Sequence, residues 1–261
     1  MKKICGVVII LLFFTALAVT QDYKVITVQK GDTIQKIAEK HLKNQNSWSR
    51  LLKYNKLRSP RDIKPGMKIK IPYSLSSERI AKVTFKVGKV EIFSNGSWKN
   101  ANKGSLVKKD EKVRTGANGK AKIQLDDGSN VQINNNSEIV LSQYGFQKRG
   151  RQSNVKLNKG GMLVKVNKLT RKSQFGVSSV NALAGVRGTT FEVKIDEKTK
   201  NVDLSVYAGK VIVSDVKKDD SKSEVVNVEK GKAIKLTVDK KSKKTTLSKP
   251  VSIPKKVEWI E

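Results

Sequence analysis

The sequence predicts an α+β N-terminal module, with the element order strand, helix, helix, strand, followed by a larger all-β domain. Residues 23–72 change from a strand pattern to helical periodicity and back to a strand pattern. Residues 83–238 show period-two alternation and little helical periodicity, and turn residues separate their short apolar segments. A chain of 261 residues is long enough for one small module and one larger domain.

The module begins with a β-branched segment at residues 23–28, which predicts a short strand. Asp32, with Gln35 three residues later, predicts a capping box at the start of the first helix. The residues at the helical spacing i, i+3, i+4, i+7 and i+8 then predict one buried face, formed by Ile34, Ile37, Ala38, His41 and Leu42.

A second helix is predicted after Ser47, with its inner face at Trp48, Leu51 and Leu52 and its end near Asn55. Pro65 and Gly66 then predict a type II turn, because proline fixes the first turn angle and glycine supplies the positive φ. The last strand of the module is expected at residues 67–71.

The second domain is predicted to contain only strands, many of them joined by hairpin turns such as Asn95-Gly96, Asp127-Gly128 and Ala208-Gly209. The predicted strands are residues 83–87, 90–93, 121–125, 130–133, 137–141, 155–157, 162–166, 174–177, 189–195, 202–207, 210–213, 224–228 and 233–238. Closely spaced short strands suit a sandwich, a barrel or a stacked solenoid. We expect a solenoid-like or sandwich architecture.

The predicted boundaries begin with a signal peptide at residues 1–20. It combines Lys2 and Lys3, an apolar run at residues 7–14, and the small-residue cleavage pattern Ala16-Leu17-Ala18. The alternative is an uncleaved membrane anchor, which would bring the chain into contact with a membrane. The module is predicted at residues 21–74, a polar connector at 75–82, the all-β domain at 83–238 and a lysine-rich C-terminal tail at 239–261.

The chain is strongly basic, with 54 Lys and Arg residues against 23 Asp and Glu residues and a net charge of +31. Such a charge favours polyanionic partners. Because an exported protein rarely meets nucleic acid, we expect none as a partner and favour anionic cell-wall polymers or lipids. Cys5 precedes the apolar run, so cleavage would leave a chain without cysteine.

The N-terminal module closely resembles the LysM family. The motifs that carry the resemblance are Tyr23-x-Val25, Gly31-Asp32-Thr33-Ile34-x-x-Ile37-Ala38, Leu51-Leu52-x-x-Asn55 and Ile63-x-Pro65-Gly66-x-x-Ile69-x-Ile71-Pro72. The resemblance implies a βααβ fold that binds N-acetylglucosamine-containing glycans, and hence peptidoglycan, in a shallow groove between two loops. Carried over to this sequence, the implied groove residues are Gly31, Asp32, Thr33, Ile34, Asn55, Leu57, Ile63, Pro65 and Gly66.

The β domain resembles the FecR domain family over about residues 80–235. The resemblance rests on Gly88-x-Val90 through Trp98, on Val113-x-Thr115-Gly116 with Ala121 through Ser129, and on Ala182 through Val193. It implies a twisted, solenoid-like β structure that acts by contacting proteins, so we expect an envelope protein partner. Family regulators of sigma factors carry a longer segment before a membrane helix, so we do not expect that activity. Arg187 between Gly185 and Gly188 leaves open an anion-binding turn or a buried, ion-paired turn.

The residue inventory argues against an enzyme. His41 is the single histidine, which leaves no Ser-His-Asp triad and no His-based zinc site, and we expect neither a cofactor nor a metal. Two classes remain: a peptidoglycan-anchored scaffold that presents its β domain to a protein, or a basic surface protein that binds anionic polymers or lipids. In both cases we expect an exported protein of the periplasm or cell envelope.

Overall fold

The computed structural model describes residues 23–78, 80–147, 150–167, 174–179, 182–186, 188–215, 224–239 and 245–253. The signal peptide, Arg187 and the runs Lys217-Lys218 and Lys240–Lys244 lie outside these ranges, as does Trp259. Within the same ranges, no helix has the length and apolar character needed to span a membrane.

The N-terminal module has the predicted order of elements. They are β1 (Tyr23–Thr27), α1 (Ile34–His41), α2 (Trp48–Tyr54) and β2 (Lys68–Pro72), with short 3₁₀ turns at Gln45–Ser47 and Pro60–Asp62. The strands β1 and β2 pair antiparallel, from Tyr23 opposite Pro72 to Thr27 opposite Lys68. Both helices bury one apolar face against this pair, as the helical spacing predicted, but His41 and Trp48, which were predicted within these faces, are only half-buried. The buried core of the module is Val28, Ile34, Ile37, Ala38, Leu42, Leu51, Leu52, Ile69 and Ile71.

The predicted capping box at Asp32 is wrong. The N-cap of α1 is Thr33, whose side chain accepts a hydrogen bond from the backbone N–H of Lys36 at 3.2 Å. The Asp32 carboxylate instead accepts the N–H of Gln29 at 2.7 Å and closes the turn before the helix. A capping box does occur further along, where the Ser59 and Asp62 side chains cap the 3₁₀ turn reciprocally.

The predicted connector is bound to the module at its start. Lys43 N–H donates to the carbonyl of Leu75 at 2.9 Å, and Ser77 N–H donates to the carbonyl of His41 at 2.8 Å. Ser76, which forms an isolated bridge with Leu42, is fully buried. Residues 75–77 therefore extend the module along the end of α1, although their composition is polar.

The β domain consists of two sheets that share the long strand β11 (Gly150–Lys165) and enclose one apolar core. In order across sheet I the strands are β6 (Leu106–Val107), β3 (Ala81–Val87), β8 (Lys120–Gln124), β9 (Asn130–Ile133), the second part of β11, β14 (Thr190–Ile195), β15 (Val202–Ala208), β18 (Lys232–Val238) and, both along β18, β19 (Thr245–Leu247) and β20 (Val251–Ser252).

Sheet II contains β11 and the strands that lie between the strands of sheet I along the chain. In order across the sheet they are β5 (Ser97–Asn100), β4 (Val90–Ser94), β7 (Lys112–Thr115), β10 (Glu138–Gln147), the first part of β11, β12 (Gln174–Ser178), β13 (Ala182–Val186), β16 (Lys210–Asp215) and β17 (Val225–Glu229). The pair β11–β12 is parallel and the other pairs are antiparallel. Successive hairpins alternate between the sheets, so the domain is a sandwich assembled by solenoid-like stacking.

Three predictions about the β domain need correction. The predicted strands at 155–157 and 162–166 are one continuous strand, β11, which passes from sheet II to sheet I. Ala208-Gly209 does not form a hairpin, because β15 and β16 belong to different sheets. The predicted tail at 239–261 contains β19 and β20, and Leu247 is buried against the core.

Candidate functional site

Two loops of the module lie side by side and form the candidate site. The first loop comprises residues 28–33, between β1 and α1, and the second loop comprises residues 56–67, between α2 and β2. Val28 N–H donates to the carbonyl of Met67 at 2.9 Å, and Gly66 N–H donates to the carbonyl of Val28 at 2.8 Å. These bonds extend the β1–β2 ladder, so the sequence-distant Gly31–Thr33 and Pro65-Gly66 segments are brought to one end of the module.

The first loop is held in a fixed conformation. Its Asp32 carboxylate accepts from Gln29, while Lys36 donates from its ammonium group to the carbonyl of Gly31 at 3.1 Å. Gly31 has a φ of +85°, a conformation that side chains disfavour, and no heavy atom lies within 4 Å of the position its Cβ would take. The Cα of Gly31 is therefore open to an approaching ligand, while its carbonyl is engaged by Lys36.

The second loop is fixed by one carboxylate. Asp62 accepts the backbone N–H groups of Arg58 and Ser59, both at 2.9 Å. Gly66 follows in a turn closed by Met67 N–H and the carbonyl of Lys64 at 3.0 Å, and its φ is +85° with open space around it. Because both loops are tied internally and to each other, their exposed backbone is arranged before a ligand arrives.

Apolar side chains line the second loop beside these exposed backbone groups. Leu57, Ile63 and Met67 are half-buried and pack against the core of the module, so each leaves part of its surface accessible. Pro65 is exposed in the adjoining turn. Backbone amides next to aliphatic surface suit the acetamido groups and the apolar face of an N-acetylated sugar.

Two of the residues implied by the family resemblance have other roles in this structure. Ile34 has no exposed surface and packs in the core, so its side chain does not reach a groove ligand. Asn55 donates to the carbonyl of Lys70 at 2.8 Å and accepts the Lys70 N–H at 2.8 Å, and it also donates to the carbonyl of Leu51 at 2.9 Å. Its carboxamide therefore joins the end of α2 to β2, about 10 Å along the strand from Met67.

The structure brings the remaining implied residues together around the two loops, where Gly31, Thr33, Pro65 and Gly66 are exposed. The exposed Arg58 and Arg61 lie in the second loop. The Asp62 clamp was missed from the sequence, although the spacing of Ser59 and Asp62 has the form of a capping pair. Glycan contact by these residues stays a prediction.

The titratable groups near the loops are used structurally. The Asp32 carboxylate accepts one backbone N–H group and the Asp62 carboxylate accepts two, so both acids hold the loops in place. Burial, together with the Lys24 and Lys40 ammonium groups, lowers the pKa of His41 below 6.5. In the described part of the chain, no three His, Cys, Asp or Glu side chains are grouped to suit a metal ion.

Comparison with known proteins identifies both regions. The family model for the LysM domain matches residues 26–72, and the model for the FecR protein matches residues 111–212. The chain thus contains a LysM domain followed by a FecR domain, in the order that the motifs predicted. No curated protein matches the chain.

Two crystal structures of a Parabacteroides distasonis ATCC 8503 protein, described as a "putative anti-sigma factor" and determined at 1.65 and 2.50 Å resolution, show a distant likeness. Sequence identity is 20% in both cases and the TM-score is 0.41. The match covers 52% of this chain and 58% of the solved chain.

Proposed function

We propose that this protein is a non-catalytic component of the bacterial cell envelope that binds N-acetylglucosamine-containing peptidoglycan through its LysM domain. The FecR domain is then held at the cell wall, where its two-sheet surface contacts an envelope protein. LysM domains suggest glycan binding, FecR domains suggest envelope signalling through protein contacts, and both families are in general non-catalytic.

The single observation that carries the proposal is the paired arrangement of the two loops. The bonds between Val28 and the Gly66-Met67 segment place two exposed, positive-φ glycines on one end of the module. The half-buried Leu57 and Ile63 lie beside them. A neutral sugar with an acetamido group matches this surface, because it offers both hydrogen-bonding groups and an apolar face.

The net charge of +31 favours a second candidate, in which the protein binds anionic envelope polymers or lipids and the LysM domain is secondary. The two mechanisms respond differently to salt. Exposed charges are screened over about 8 Å at physiological ionic strength and over about 3 Å at 1 M salt. Sugar contacts made by backbone amides and aliphatic side chains depend much less on screening.

The test is sedimentation of the mature protein with purified, insoluble peptidoglycan at low salt and at about 0.5 M salt. We expect binding to weaken only modestly over this range. The variant Ile63→Lys should weaken binding about tenfold or more, because it places a charge against the sugar face. Val25→Lys is the matched control, since Val25 is a β-branched residue exposed on β1, outside the two loops.

Neutralising Arg58 and Arg61 together should weaken binding less than Ile63→Lys does. Circular dichroism of each variant ensures that folded proteins are compared, since Ile63 also packs on the module core. Binding that disappears in 0.5 M salt and is indifferent to Ile63→Lys contradicts the loop site and supports the polyanion candidate.

A further inference from the structure

A cleft opens between the LysM domain and the first hairpin of the FecR domain, at the end of the module opposite the paired loops. Its volume is 450 Å³, within the range of about 300–1,000 Å³ that is typical of ligand sites. Tyr23 and Tyr73 line it from the module side, and Lys99, Leu106 and Lys108 line it from the FecR domain. We call it the interdomain cleft.

Contacts on both sides hold the walls of the interdomain cleft in place. The Lys108 ammonium lies 5.6 Å from the centre of the Tyr73 ring, so this contact joins the FecR domain to the module. On the module side, the centres of the Tyr23 and Tyr54 rings lie 6.3 Å apart in an edge-on arrangement. The Lys70 ammonium lies 5.0 Å from the centre of the Tyr23 ring. The aromatic surface is therefore preformed.

The electrostatics of the interdomain cleft favour an anion. Two lysines, Lys99 and Lys108, line it against the single carboxylate of Glu111, so its charged lining is net positive. The Glu111 oxygens accept from the Ser94 hydroxyl and from the Lys108 N–H. Burial alone would lower the pKa of Lys108, yet the hydrogen bond to Tyr73 and the nearby acidic groups outweigh it and raise that pKa. Lys99 is exposed, and none of the ion pairs among the described residues includes it.

We propose that the interdomain cleft binds the peptide stem of peptidoglycan through a stem carboxylate, as a second subsite beside the glycan groove. The Lys99 ammonium holds the carboxylate, and the tyrosine rings with Leu106 contact the aliphatic side chains of the stem. This inference rests on the proposed function for the class of polymer, but it uses different residues. Tyr23 lies five residues along β1 from Val28, about 17 Å from the paired loops, so one polymer strand reaches both places.

The experiment titrates the full mature protein with three soluble probes and follows binding by calorimetry or NMR. The probes are a disaccharide-tetrapeptide of peptidoglycan with free carboxylates, the same muropeptide with amidated carboxylates, and an N-acetylglucosamine oligomer without peptide. The variants are Lys99→Ala and Lys99→Glu. The matched controls are Lys103→Ala and Lys103→Glu, because Lys103 is an exposed lysine on the neighbouring turn that does not line the interdomain cleft.

We expect Lys99→Ala to weaken binding of the acidic muropeptide about fivefold, as for loss of one partly exposed charge contact. Lys99→Glu should weaken it further. Neither substitution should change binding of the amidated muropeptide or of the peptide-free oligomer. The Lys103 variants should bind all three probes as the wild type does. Equal effects at Lys99 and Lys103 overturn the subsite in favour of general charge attraction. Wild-type affinity of the Lys99 variants for the acidic muropeptide overturns it as well.

Failure of the glycan groove has a different signature. The unsubstituted protein would then not bind the peptide-free oligomer, whether or not Lys99 affects the acidic muropeptide. The two proposals are therefore tested by separate probes in the same set of titrations.

Discussion

Asn55 provides the sharpest test of how the module is held together, because the family resemblance implies a glycan contact and the structure shows a clamp. The change Asn55→Ala removes three hydrogen bonds, two to the Lys70 backbone and one to the carbonyl of Leu51. Each such bond contributes about 0.5–1 kcal/mol net, at the lower end where water replaces it. We therefore expect the free energy of unfolding of the module to fall by roughly 2 kcal/mol.

A loss of roughly 2 kcal/mol raises the unfolded fraction of the module about thirtyfold. The assay is amide hydrogen exchange measured for Lys70 and for core amides of β2, which reports the module separately from the FecR domain. The control is Asn46→Ala, a change at an exposed asparagine of the same module. Peptidoglycan affinity per folded molecule should stay unchanged in Asn55→Ala. Weaker binding with unchanged exchange protection would refute the clamp and restore Asn55 to the binding surface.

Three further predictions concern pH, packing and export. Because the folded-state pKa of His41 is lowered, its contribution to stability is complete above about pH 6.5 and decreases as the pH falls from there towards the folded-state pKa. The free energy of unfolding measured in urea should therefore be lower at pH 5.5 than at pH 7.5, and His41→Gln should reduce this difference. Gly119→Ala should destabilise the FecR domain by about 1–3 kcal/mol, since its Cβ would lie 2.2 Å from a carbonyl oxygen, whereas Gly185→Ala, with open space around it, should leave the urea midpoint almost unchanged. Intact mass of the envelope-purified protein should place the mature N-terminus at Val19–Gln21, and a mass that retains Met1 would instead support an anchor.

Local patterns predicted the element types of this protein well. Helical spacing identified the buried faces of α1 and α2, because an apolar stripe every three to four residues has one stable position, facing the strand pair. Period-two alternation likewise identified most strands of the FecR domain. Short strands such as β5 and β6 were missed, since two to four residues give too little alternation to detect.

The helix cap and the connector show where local patterns fail. Asp32 and Thr33 both have side chains that cap helices, and the choice of Thr33 depends on the turn at Gln29, which uses the Asp32 carboxylate. Ser76 is polar in a polar segment, yet it is buried because the neighbouring backbone groups bond to the end of α1. Such partners are distant in sequence, so no local rule selects them.

By itself the sequence determined the two-domain organisation, the βααβ order of the module, the all-β character of the second domain and the strongly basic charge. Those properties follow from composition and from periods that a single segment carries. The tertiary structure alone decided how hairpins alternate between the two sheets, that β11 joins them, that Ile34 and Asn55 support the module from within, and that Tyr73 and Lys108 face one cleft. Each of these depends on pairings between segments far apart in the chain, where backbone hydrogen bonds and the shared core select one arrangement among several that the local pattern allows.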